Sequence, residues 1–161
     1  MQNKLDKKHF QDQEHDHQHC ISVALDMANQ ICISHEARFT PIRRRILELI
    51  WESHEPVLAY DLLKTLRKEK DNTEPPTVYR SLDFLLEYNL IHRIESLNAY
   101  VGCSYANRPH IGQFLICTEC NQFIEIDSSK INKTILNEAK QSGFEVATQT
   151  VEIYGRCPQC Q

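Results

Sequence analysis

Apolar residues recur at helical spacing from Ile21 onward: Ile21, Ala24, Leu25, Ala28, Ile31 and Cys32, with His35 next in line. Side chains three and four apart share one helix face, so this run predicts an amphipathic helix. A second helix starts at Thr40-Pro41, with Thr40 as N-cap and Pro41 at the first helical position. Ile42, Ile46, Leu49 and Ile50 form its inner face, and Arg43, Arg44 and Arg45 begin its polar side. A loop at Ser53-His54-Glu55-Pro56 leads to a third helix over roughly residues 59–70, with Leu62, Leu63 and Leu66 inward. Pro75-Pro76-Thr77 opens a fourth that reaches about Tyr88; its packed face is Val78, Leu82, Leu85 and Leu86, with Tyr79 at the flank. Two antiparallel runs follow, 90–95 and 99–103, joined by Ser96-Leu97-Asn98. Three helices and a hairpin after the first helix are the layout of a winged helix-turn-helix.

The second half reads as α/β. Short strands are expected at 114–117 and 123–126. Ser128 or Ser129 then caps a helix with Ile131, Ile135, Leu136 and Ala139 on one face, closed by Gly143. A long strand candidate covers 144–154. Three short strands and one helix cannot bury themselves on both faces, which makes this half a dimerisation module. The fold class is therefore α+β. Residues 1–20 form a tail, 21–95 a winged-helix domain, 96–103 the wing strand and hinge, and 104–161 an α/β dimerisation and metal-binding domain.

Composition narrows the picture. His9, His15, His17 and His19 stand among Asp, Glu and Gln in a stretch almost without apolar residues, so 1–20 is expected to be disordered. It has no apolar core of the kind a secretory signal needs, and a reducing cytoplasm is the expected compartment. At 161 residues, 41% hydrophobic and 25% charged, the chain has the makeup of a soluble protein, and no stretch could span a membrane. Net charge is −4, so the global field does not favour nucleic acid, and any DNA contact must rest on local features.

Four of the seven cysteines fall in two pairs, Cys117-x-x-Cys120 and Cys157-x-x-Cys160. A C-x-x-C turn converges two thiolates on one ion, and two such turns supply the four soft ligands of a structural Zn²⁺ site. Four thiolates leave no open position for water or substrate, which points to scaffolding rather than catalysis. Disulfides would need an oxidising compartment, and spacing leaves an iron–sulfur cluster open. Cys32 lies on the packed helix face as an inert thiol, and Cys20 has no assigned role.

The fourth helix carries the local features for DNA. In a helix-turn-helix the first residues of the recognition helix reach base edges; here these are Thr77, Tyr79 and Arg80. Arg80 can bond guanine bidentately and Tyr79 can pack on a thymine methyl. Arg38, Arg43, Arg44 and Arg45 could hold the phosphates on either side. An ordinary helical packing unit with solvated arginines is the other reading of the same pattern.

The run Pro75-Pro76-Thr77-Val78-Tyr79-Arg80-Ser81-Leu82-Asp83-Phe84-Leu85, then Ile91-His92-Arg93-Ile94-Glu95-Ser96 and the paired C-x-x-C, resembles the ferric uptake regulator family, and within it the zinc uptake branch. The likeness covers about residues 25–160. It implies a cytoplasmic homodimer that binds double-stranded operator DNA at AT-rich palindromes and represses zinc uptake genes when metal is bound. It implies no enzyme activity, no small-molecule substrate and no membrane association. It also implies two Zn²⁺ per protomer: a structural ion on Cys117, Cys120, Cys157 and Cys160, and a sensory ion near the hinge. The zinc branch uses a His, Cys, His, Glu set, and this chain offers His92, Cys103, His110 and Glu125 at the matching places. A thiolate with two imidazoles suits Zn²⁺, whereas iron and manganese sensors use nitrogen and oxygen ligands. The iron branch carries several histidines just before the first C-x-x-C, and here the stretch from His110 to Ile116 has one. An iron or peroxide sensor of the same family is the nearest alternative. An enzyme using these four residues as a catalytic zinc site is the more distant one, since it needs an open position and a placed base.

Overall fold

Prolines open two of the helices, Ser128 caps another, and a few long-range strand pairings shape the two sheets. The computed structural model describes residues 17–53 and 55–161. These form two units, one ending at Arg108 and the other running from Pro109 to Gln161.

The first unit contains α1 (His17–Ser34), α2 (Pro41–Glu52), β1 (Val57–Leu58), α3 (Ala59–Glu69), α4 (Pro75–Glu87), β2 (Ile91–Ile94) and β3 (Ala99–Gly102). Ile21, Leu25, Ala28 and Cys32 are buried, as the periodicity predicts, and burial raises the Cys32 thiol pKa. α1 begins before Ile21, so residues 17–20 of the expected tail are helical. Once the apolar stripe has nucleated a helix, each further residue adds a hydrogen bond without a new nucleation cost. The remainder of that expected tail, 1–16, and His54 lie outside the described residues. His35 falls just past α1 and is exposed, its ring edge-on to Tyr88 at 5.5 Å.

Thr40 holds the N-cap backbone position of α2, but its hydroxyl makes no capping bond. Ile46, Leu47, Ile50, Leu62, Leu66, Val78, Leu82, Leu85, Leu90 and Ile91 form one core. Each such side chain contributes about 1.5–3 kcal/mol on burial. Leu86, expected inward, is only partly buried, and Phe84 and Ser81 share the inner side of α4 instead.

β2 and β3 pair antiparallel, with His92 opposite Val101 and Ile91 opposite Gly102. The connection is a 3₁₀ turn, Glu95–Leu97, closed by Asn98 at φ 49°, a left-handed position that Asn tolerates. β1 pairs with the other edge of β3, giving the order β1-β3-β2. The indole of Trp51, at the end of α2, lies directly on Gly102. A Cβ there would meet the ring carbon Cδ2 at 2.9 Å.

The second unit contains β4 (Gln113–Cys117), β5 (Phe123–Ile126), α5 (Ser129–Gln141) and β6 (Val151–Gly155). Its sheet order is β5-β4-β6, with β4 antiparallel to β5 and parallel to β6. The Ser128 hydroxyl caps α5 by accepting from the Ile131 N–H, and Gly143 at φ 68° ends it. The strand expected over 144–154 begins only at Val151. The Phe144 N–H is used to close α5, donating to the Ala139 carbonyl, and ladder bonding starts where Val151 donates to Gly112. No residue of α5 is buried within the chain, and Leu136, Phe144, Ile153 and Tyr154 are exposed. Among the described residues no helix is long and apolar enough to cross a membrane.

Candidate metal centres and nucleic-acid interface

The parallel pairing of β4 and β6 sets Cys117 opposite Gly155, so both C-x-x-C turns leave the sheet at the same end. Asn121 takes a left-handed φ of 56° and donates to the Cys117 carbonyl, closing the first knuckle. A 3₁₀ turn, Pro158–Cys160, closes the second, with Cys160 donating to the Cys157 carbonyl. The four sulfurs lie within 4.8 Å of one another. Cys120 Sγ and Cys157 Sγ are 3.8 Å apart. A disulfide requires about 2.05 Å, whereas a tetrahedral Zn²⁺ with ~2.3 Å bonds spaces its sulfurs by about 3.8 Å. All seven cysteines are free thiols. The Cys157 N–H, 3.3 Å from Cys117 Sγ, lowers the Cys117 pKa to about 6, so this thiol is poised as a thiolate. Its bond to Cys157 pushes Cys160 up to about 12. The donor set fits Zn²⁺.

Each unit also holds a pair of the residues expected to sense metal. In the first, His92 stands half-buried on β2 and Cys103 is buried just past β3, with their ligand atoms within 4.8 Å. The Cys103 N–H donates to the Leu90 carbonyl, which anchors it to the β2 side, and the Tyr105 N–H points at its sulfur at 3.4 Å. In the second, His110 Nε2 lies 2.9 Å from Glu125 Oε1, and both side chains are almost wholly buried. Glu125 sits on β5 opposite Phe114. A carboxylate so far from water requires a cation or strong donors. Thiol, imidazole and carboxylate together are a Zn²⁺ donor set.

At the start of α4, Thr77, Tyr79 and Arg80 are all exposed, Tyr79 by 53%. Pro75 and Pro76 open the helix there, and the Arg80 Nε–H donates back to the Pro76 carbonyl at 3.3 Å. Arg38 and Arg44 are exposed. The other two arginines expected toward phosphate are turned to internal contacts. Arg43 stacks on the Phe84 ring, 3.5 Å from its centroid, and donates to the Arg38 carbonyl. Arg45 bridges Glu48, Glu52 and Glu69 at 2.9, 2.9 and 2.7 Å, and holds the Glu69 carboxyl pKa below its ordinary value. A guanidinium shared by three carboxylates has little field left for DNA.

Sequence reading missed the seat of Trp51 on Gly102. The signal was present: an isolated glycine inside a strand run marks a close approach of another group.

The family model of the ferric uptake regulator family matches residues 34–154. The chain is 36% identical over 137 residues to the zinc uptake regulation protein of Escherichia coli (strain K12), covering 84% of this chain and 80% of that protein. Among solved structures it is similar to a zinc uptake regulator complexed with zinc and DNA, at TM-score 0.81 and 33% identity, over 91% of this chain and 96% of that one. It is also similar to holo XcZur, at TM-score 0.79 and 36% identity, over 87% and 97% of the two chains. The winged-helix unit, the four-thiol knuckle pair and these matches agree: the chain belongs to the ferric uptake regulator family.

Proposed function

We propose that this chain is a zinc-responsive transcriptional repressor that binds AT-rich palindromic operators as a zinc-loaded homodimer and controls zinc uptake genes. Cys103 carries the choice of metal. It is a buried thiol with its sulfur within 4.8 Å of a His92 ring nitrogen, and soft sulfur selects zinc over the iron or manganese of related sensors. The similarity to zinc uptake regulators supports the same choice. Two ions per protomer are assigned, one to the four cysteines and one to His92, Cys103, His110 and Glu125. The exposed apolar residues of α5, Phe144 and β6 form the homodimer face. The protein is a regulator, not an enzyme, working in the cytoplasm on double-stranded DNA without a small-molecule substrate.

His92, Cys103, His110 and Glu125 would hold the sensory Zn²⁺, which would supply one cation shared by all four. Sharing it, His92 and Cys103 on the wing would lose their independence from His110 and Glu125. The two recognition helices of the dimer then keep a fixed separation. Half-sites lie about 34–36 Å apart or at multiples of this, so the separation decides operator fit. Shifting a population from mostly unfit to mostly fit takes a differential affinity of ~5.5 kcal/mol, well below the ~10–16 kcal/mol of zinc binding in structural peptide sites. Thr77, Tyr79 and Arg80 read bases, while Arg38 and Arg44 hold phosphates.

The test is metal analysis of purified protein combined with a zinc-dependent gel shift. Wild type should hold one zinc tightly, exchange a second, and shift the operator only with both. Cys103→Ser should keep its fold and the tight zinc but lose the zinc-dependent shift. The hydroxyl is nearly the size of the thiol and a far poorer ligand, so the loss should exceed the ~10–100-fold seen when a ligand's supporting partner is removed. A wild-type zinc response in this variant would sink the assignment of the sensory site.

A further inference from the structure

We infer that Trp51 is a positioning residue for the sensory metal: its indole, seated on Gly102, sets where the Cys103 thiolate is presented. The inference rests on the sensory assignment of His92 and Cys103 made above.

Gly102 is the last residue of β3 and immediately precedes Cys103. Its missing side chain is a requirement of space, because a Cβ would fall well inside contact distance of Trp51 Nε1, Cε2 and Cδ2. All four residues of β3 are buried, so the strand end cannot swing outward to make room. Past this point the chain is fixed by the Cys103 N–H bond to Leu90 at 3.1 Å. The indole therefore lies against the peptide that leads into the ligand, and the backbone of Leu90, just before β2, holds the ligand residue from the other side. His92 stands on β2 next to Ile91, which is the register partner of Gly102. A displacement of the strand end at Gly102 changes the separation of the two ligands directly. Trp51 also belongs to α2, the helix that carries Arg44 and packs against α4. The ligand end of the wing is thereby referenced to the helices that meet DNA.

Metal ligands depend on their supporting contacts, and disturbing these lowers affinity by ~10–100-fold. Gly102→Ala should weaken the exchangeable zinc by about that factor in a chelator competition, while the four-cysteine zinc stays bound. Trp51→Phe should act in the same direction by a smaller factor. Because both changes act through one contact, the double variant should lose less than the product of the two single losses. Operator affinity should recover at saturating zinc in each, with only the zinc midpoint displaced. Trp51 is the chain's sole tryptophan, so wild-type emission should change on the second zinc equivalent and stay flat on the first.

Wild-type zinc affinity in Gly102→Ala, accompanied by a lower thermal midpoint, would mean packing only and would overturn the inference. Should Gly102→Ala fail to fold, Trp51→Phe decides, and wild-type affinity there overturns it. Cys103→Ser separates the two levels. If it keeps the exchangeable zinc, the sensory assignment falls and the role of Trp51 falls with it. If it loses that zinc while the Gly102 and Trp51 variants keep theirs, the positioning role alone is wrong.

Discussion

Cys157→Ser is expected to release the tight zinc and unfold the unit from Pro109 to Gln161, leaving the winged helix folded. The buried apolar residues of that unit are few: Phe114, Ile116, Cys117 and Cys157, of which the last two are proposed thiol ligands. α5 adds no buried residue. With so little core within the chain, folding of this half is expected to draw on metal, whose binding in comparable four-ligand sites is worth ~10–16 kcal/mol. A serine oxygen at one corner removes much of that. Metal analysis should give less than one tight zinc per chain, and hydrogen exchange should show reduced protection confined to residues 109–161. Sedimentation should show loss of the dimer. A dimeric, fully zinc-loaded Cys157→Ser protein would refute the structural role of the knuckle pair.

Arg80→Ala should cost the operator far more than random DNA. A bidentate contact to guanine is worth ~1–3 kcal/mol of discrimination, and a dimer carries two copies, so the loss should reach about 2–6 kcal/mol. Arg80 is exposed on the first turns of α4, and its backbone contact to Pro76 is long enough to yield to a base. Arg44→Ala should behave differently. It should weaken operator and random duplex alike and flatten the salt dependence by a slope of ~1 for each phosphate no longer neutralised. Titration of zinc-loaded variants on operator and scrambled duplex at two salt concentrations separates the two. Equal losses on both duplexes for Arg80→Ala would show that α4 touches backbone only.

The helices were legible because each repeats its apolar residues on one face, and α2, α4 and α5 also begin with a proline or a polar cap. The knuckles were legible because thiol spacing within a C-x-x-C turn is local. What escaped was set by distant pairing. β1 is two residues long and is a strand only because Val57 finds Tyr100 across the sheet. The true start of β6 depends on where Phe144 spends its N–H, which the hydrophobic pattern of 144–154 does not encode. Arg43, Arg44 and Arg45 look alike in sequence, yet helix geometry turns the first onto Phe84 and the third toward Glu69, leaving Arg44 outward. His110 and Glu125 are proposed as ligands through family likeness, but their direct hydrogen bond spans fifteen positions and needed the sheet.

The parallel β4–β6 pairing also carries an expectation for the order of folding. The strands it joins lie on either side of α5, and Cys117 and Cys157 are 40 positions apart. Parallel neighbours this distant must close a loop before any ladder bond rewards them, which makes such pairing slow. Cross-linking a chain over that interval removes freedom from the unfolded state worth on the order of 4 kcal/mol in the chain-entropy picture. A metal held by the proposed cysteine ligands at the strand ends would thus act as a clasp, and its arrival is expected to set the tempo at which this half assembles. Refolding followed by stopped flow should accelerate with free zinc until the clasp saturates, and a zinc-independent rate would show that the sheet closes first.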